Sequence, residues 1–116
     1  MTKRVSVTTS SSDSLSGASE TIANNEYFCA VETDQNFTAS IISFAKLASD
    51  GVTWEPVNTK DGTGEYQTGT IQPSTYTPID IQTFMACKEL KVRSGISTTD
   101  VLQTSDTTYK LEVICL

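Results

Sequence analysis

The sequence predicts an all-β domain, an antiparallel β-sandwich of jelly-roll-like type with about eight short strands. Three observations predict it. Near the C-terminus Tyr109, Leu111, Val113 and Cys115 alternate with Lys110 and Glu112, and upstream Leu90 and Val92 alternate with Glu89, Lys91 and Arg93. A period of two places each apolar set on one face, as in a sheet with one dry side. Ser and Thr make up about a quarter of the chain, a richness that suits pleated surfaces and loops better than helices. Turn signals recur between the apolar segments, led by Asp50-Gly51, a strong hairpin signal.

Taken in order, Val5 and Val7 alternate with polar partners, which suits an N-terminal arm or edge strand over residues 1–14, ending in the polar run Thr9 to Ser14. Residues 15–116 then form a single sandwich domain. A weak strand follows over Leu15 to Ile22, and Asn24-Asn25 makes a turn. Tyr27-Phe28-Cys29-Ala30-Val31 is apolar on both faces and reads as a central strand. Phe37 to Leu47 fits a helical stripe almost as well as a strand. Strand is preferred because Ser49-Asp50-Gly51 turns it straight into Val52-Thr53-Trp54. Lys60 to Gly64 is a loop and Glu65 to Ile71 a modest strand. Pro73 and Pro78 bracket Tyr76, so that segment is a loop or an edge. Asp80 to Phe84 has the form of one helical turn capped by Asp80. The two alternating strands close the chain, separated by Ser94-Gly95 and a Thr/Ser/Asp-rich connection.

A chain of 116 residues is one domain by length. Its net charge of −6 argues against nucleic-acid partners, which demand clustered Lys and Arg. No segment has the run of apolar residues that a transmembrane helix requires. Lys3-Arg4 is not followed by the apolar stretch of a secretory leader, the expectation for a protein made and kept in a cytoplasm. Cys29, Cys87 and Cys115 are odd in number and far apart, and read as buried free thiols.

The search for chemistry is mostly negative. Histidine is absent, which removes the usual general base and the commonest metal ligand. No Cys-x-x-Cys exists, and Asp61-Gly62-Thr63-Gly64 lacks the lysine of a phosphate loop. No catalytic, cofactor-binding or metal-binding residue is assigned. The carboxylates Asp34, Asp50, Asp61, Asp80, Asp100 and Asp106 sit in or beside loops. A facing pair among them would suit a small hydrolase and a gathered group would suit calcium, but Asp in turns ordinarily satisfies local backbone donors. Trp54 reads as hairpin packing, with an interface anchor or a sugar platform as its other uses; Tyr66 and Tyr76 would join it in a carbohydrate-binding module. Lys88, Lys91 and Arg93 place positive charge on an outer face, where a solvated strand is the plain reading and an acidic partner the sharper one.

Several stretches taken together carry a likeness. Ser49-Asp50-Gly51-Val52-Thr53-Trp54 is followed by Tyr76-Thr77-Pro78-Ile79-Asp80 and Phe84, then Leu90-Lys91-Val92-Arg93-Ser94-Gly95 and the closing strand Tyr109 to Ile114. From Ala39 to Leu116 this order resembles a family of small β-sandwich structural proteins encoded in the head and morphogenesis regions of tailed bacteriophages. The resemblance implies a non-enzymatic virion component assembled in the host cytoplasm, without cofactor, nucleic acid or membrane. A capsid decoration (cement) protein on the major capsid protein lattice is the leading form; a tail, neck or fibre-head component is the alternative. For such a protein the expected interface draws on Lys3, Arg4, Val5, Trp54 and Arg93, with a polar N-terminal arm that orders on docking and symmetric self-association, for example as trimers.

Overall fold

The computed structural model describes residues 2–115. Ten strands and one helical turn run in the order β1 (Thr2–Thr9), β2 (Glu20–Thr21), β3 (Glu26–Glu32), β4 (Ser40–Leu47), β5 (Trp54–Pro56), β6 (Gln67–Ile71), β7 (Tyr76–Pro78), α1 (Ile81–Phe84), β8 (Glu89–Ile96), β9 (Thr99–Asp100) and β10 (Thr107–Cys115). One sheet has the order β1-β10-β3-β7 and the other β2-β8-β4-β5, with β6 on β4 and β9 on β8. Every described pairing is antiparallel. The chain crosses repeatedly between the two sheets, and its first and last strands lie side by side.

The two alternating strands are interior members of opposite sheets, β10 between β1 and β3 and β8 between β2 and β4. Their apolar sets, Tyr109, Leu111 and Val113 from one side and Leu90 and Val92 from the other, are fully buried and belong to one core with Phe28, Ile42, Phe44 and Phe84. The period-two pattern therefore produces the sandwich directly: each sheet buries one face against the other. Helical turn α1 fills a gap in this core. Asp80 accepts hydrogen bonds from Gln82 N at 3.2 Å and Thr83 Oγ1 at 3.0 Å, and so caps the turn. That turn delivers Phe84 edge-on to Phe44 and Tyr66, with ring centroids 5.0 and 5.2 Å away.

The hairpin signal holds, since Leu47 pairs with Trp54 across Asp50-Gly51. Beyond it the edge of the second sheet is interrupted. β5 pairs with the C-terminal half of β4 and β6 with the N-terminal half. β5 and β6 thus follow one line along β4, and residues 58–65 leave that line as a small excursion closed by the Asn58–Glu65 bridge.

Three sequence expectations need correction. Among the described residues the strands number ten where about eight are expected, because β7 and β9, three and two residues long, carry too little pattern to be read. The weak strand over Leu15 to Ile22 keeps ladder pairing only at Glu20–Thr21. Leu15 bridges Arg93, and Ser16 exchanges bonds with Val92 through its N–H and hydroxyl. Among the cysteines only Cys87 is buried, while Cys29 and Cys115 are half-buried, all three as free thiols. Cys29 is the extra residue of a bulge, since Glu112 pairs with Ala30 and Val113 with Phe28. β1 pairs with β10 along its whole length, from Thr2–Ile114 to Thr9–Thr107. Residues 2–9 are therefore an edge strand of the first sheet.

Candidate functional site

The five residues proposed for an interface fall in separate places. Lys3, Arg4 and Val5 lie on the outer edge of the first sheet, and Trp54 and Arg93 lie on the second. The structure does not gather them into one patch. It shows instead that each cation already has a partner.

On the first sheet, Lys3 pairs with Glu26 at 2.9 Å. Arg4 Nη1 lies 2.5 Å from Glu32 Oε1, and Arg4 Nε lies 4.0 Å from Glu112 Oε1. Cross-strand register explains the cluster: Arg4 stands opposite Glu112, and neighbouring strands carry Glu32 and Tyr76 on the same outer face. Tyr76 donates its hydroxyl to Glu112 Oε2, which holds the phenol above its ordinary range. Cys29 Sγ lies 3.7 Å from the same oxygen; burial and this carboxylate raise its thiol pKa. Val5 is half-buried against the core. Sequence reasoning missed Glu32 and Glu112 and read Tyr76 only as a sugar platform; the β1–β10–β3–β7 register alone brings the three together with Arg4.

On the second sheet the positive patch is dismantled in the same way. Lys88 precedes the strand and lies over the Tyr27 ring at 3.8 Å while donating to Glu26 O at 2.6 Å. Lys91 lies over the Trp54 ring at 4.6 Å, so Trp54 packs under a cross-sheet lysine at the hairpin edge. Arg93 lies 3.7 Å from Glu65, at ion-pair rather than hydrogen-bond distance. Tyr66 is packed on Phe44 and Phe84, and its hydroxyl accepts from Asp80 N at 3.2 Å. Of the three aromatic residues weighed for sugar stacking, only Tyr76 is exposed.

The loop carboxylates are engaged locally. Asp50 accepts from Val52 N, Thr53 N and Thr53 Oγ1, which brings its pKa down to about 2, and Asp61 is held at about 2 by Thr59 and Thr63. Asp34 accepts from Asn36 N and Thr108 N, Asp106 from Ser11 N and Asp100 from Ser14 Oγ. Among the described residues no three His, Cys, Asp or Glu side chains are placed to hold a metal ion, and no helix is long and apolar enough to cross a membrane. A polar cleft of about 250 Å³ opens beside Asp34, Gln35 and Lys110, and a more apolar groove of about 380 Å³ runs between Ile41, Thr70, Ile96 and Val101.

No family model matches the chain, and no curated protein does. Among solved structures it is similar to the SPBc2 prophage-derived protein YomS, with a TM-score of 0.53 and 17% identity over 97% of this chain and 94% of that one. Looser likenesses are to a structure described as Bacillus endospore appendages forming disulfide-linked pili (TM-score 0.41, 9% identity, 100% and 88% covered) and to tomato aspermy virus (TM-score 0.37, 16% identity, 97% and 75% covered). The likeness to YomS shows a common fold across nearly the full length of both chains.

Proposed function

We propose that this chain is a non-enzymatic structural protein of a bacteriophage virion, a decoration (cement) protein that binds the major capsid protein lattice of the assembled head and stabilises it. The observation that carries the reading is the fold held in common with a prophage-derived protein over 97% of the chain. A second feature supports it. Across both outer faces charged side chains are tied to neighbouring strands, as with Arg4 on Glu32 and Lys91 on Trp54, and the loop carboxylates are tied to backbone donors. Such a surface is stiff and chemically quiet, which suits a passive block more than a reacting site. A ligand that binds only the assembled shell stabilises it by mass action, and many copies multiply modest contacts. Symmetric self-association would match the symmetry of the lattice.

The test mixes purified protein with expanded, undecorated heads of the phage that encodes it. Stoichiometric attachment and a higher shell melting temperature are expected. No attachment to mature heads, with labelling confined to the tail, would transfer the protein to a tail, neck or fibre-head position.

A further inference from the structure

Strand β1 leaves one side of its backbone open at Arg4 and Ser6. In an antiparallel pair, residues alternate between bonding their partner and pointing away from it. Three observations set the phase here. The carbonyl of Thr8 accepts from Gly17 N at 3.1 Å, so it points away from β10. On β10, Thr108 N donates to Asp34, and the Glu112 carbonyl accepts from Cys29 Sγ, both on the β3 side. The residues opposite these two, Thr8 and Arg4, therefore turn their N–H and C=O groups outward, and Ser6 shares that phase. Among the described residues nothing bonds the backbone of Arg4 or Ser6 from outside.

Sandwiches ordinarily protect such edges. The other edges of this one are protected: β7 is three residues long and ends at Pro78, β2 is two residues long, and the β5–β6 line is broken by an excursion and carries Pro56. By contrast β1 has eight residues, no proline and no bulge.

We infer that β1 is a self-association surface, pairing antiparallel with β1 of a second copy about a twofold axis at Val5. In this register Arg4 faces Ser6 of the second copy, Lys3 faces Val7, and Val5 faces its own equivalent. About four backbone hydrogen bonds form between the outward groups of Arg4 and Ser6. Two half-buried valines meet across the axis, and two four-stranded sheets become one continuous sheet. A register centred on Arg4 would oppose two arginines, and one centred on Ser6 would set Arg4 against Thr8, whose carbonyl is already bonded by Gly17, so both are disfavoured. Charge favours a second copy as the occupant. In a chain of net charge −6, β1 holds two cations and no carboxylate, and both cations are neutralised within their own chain. Two copies therefore meet along their least acidic edge. A twofold strand pair yields dimers rather than trimers.

The test is sedimentation equilibrium on the full chain, with Ser6→Pro and Ser6→Lys variants. Proline at this position deletes only an outward N–H and leaves the β1–β10 ladder whole, while lysine sets a second cation opposite Arg4 of the other copy. The expected result is a wild-type dimer in the micromolar range and association at least about tenfold weaker in both variants. Circular dichroism should be unchanged, and the amides of Arg4 and Ser6 should gain exchange protection as wild-type protein is concentrated. A wild type that stays monomeric throughout the micromolar range, or a dimer equally strong in Ser6→Lys, overturns the inference. The measurement uses the isolated chain, so its outcome is separate from head binding.

Discussion

The carboxylate of Glu65 accepts the N–H of Ser97 at 3.1 Å and the Ser97 hydroxyl at 2.8 Å. One side chain from the excursion in the β5–β6 line thereby holds the turn between β8 and β9, with Arg93 alongside at 3.7 Å. Removing the carboxylate leaves the Ser97 donors to water and Arg93 without its counter-charge. Glu65→Ala is expected to cost about 1–3 kcal/mol in urea unfolding. Glu65→Gln, which keeps an acceptor, should cost less. A Glu65→Ala protein as stable as the wild type would show that the turn holds itself.

Gly95 has φ +87°, and a Cβ built on it would lie 2.6 Å from the Thr99 carbonyl oxygen and 2.7 Å from Val101 N. The obstacle is backbone, which cannot swing aside as a flexible side chain would. Gly95→Ala therefore combines left-handed strain with a clash against β9, and a loss of more than about 2 kcal/mol is expected by thermal unfolding. Gly69→Ala is the control: nothing stands within 4 Å of its added methyl and its φ is ordinary. The two variants should separate clearly, and equal midpoints would refute the packing of β9 on Gly95.

Acid should weaken the β4–β5 hairpin. Asp50 has its pKa lowered from 3.8 to about 2 by hydrogen bonds from Thr53 and Val52. A depressed folded-state pKa means that the contribution is complete above the unfolded value and is lost as pH falls through the folded one. Stability is thus expected to drop between about pH 4 and about pH 2, with a shallower slope in Asp50→Asn. Urea midpoints across that window give the answer, and an identical slope in the variant would exclude Asp50 as a contributor.

The Cys87 thiol is pushed up to about 11 by burial. At neutral pH it is a protonated thiol beneath the surface, which makes it a poor nucleophile. A thiol reagent should modify Cys87 only after denaturant is added, and peptide mapping of the labelled protein identifies the site. Reductant should leave the melting temperature unchanged, since all three thiols are free. Rapid labelling of Cys87 in the native protein would contradict its burial.

Much of this molecule is local, and local features are legible in a chain read by itself. Alternation in Tyr109–Cys115 and Glu89–Arg93 set two core strands, Asp50-Gly51 set a hairpin, and Asp80 set a helical turn, because each is specified by neighbours a few residues apart. The partnerships of Arg4 with Glu32, Glu65 with Ser97 and Lys91 with Trp54 join residues 28 to 37 positions apart. They depend on which strands become neighbours and in what register, and no local pattern encodes that. The same holds for the open edge of β1. Sequence marks Val5 and Val7 as strand-forming, but only the order β1-β10-β3-β7 places their strand at the rim of a sheet, with the outward backbone groups of Arg4 and Ser6 free. Composition and periodicity thus decided that the chain is a sandwich, while the tertiary arrangement decided which of its surfaces are closed by their own charges and which one is left to pair.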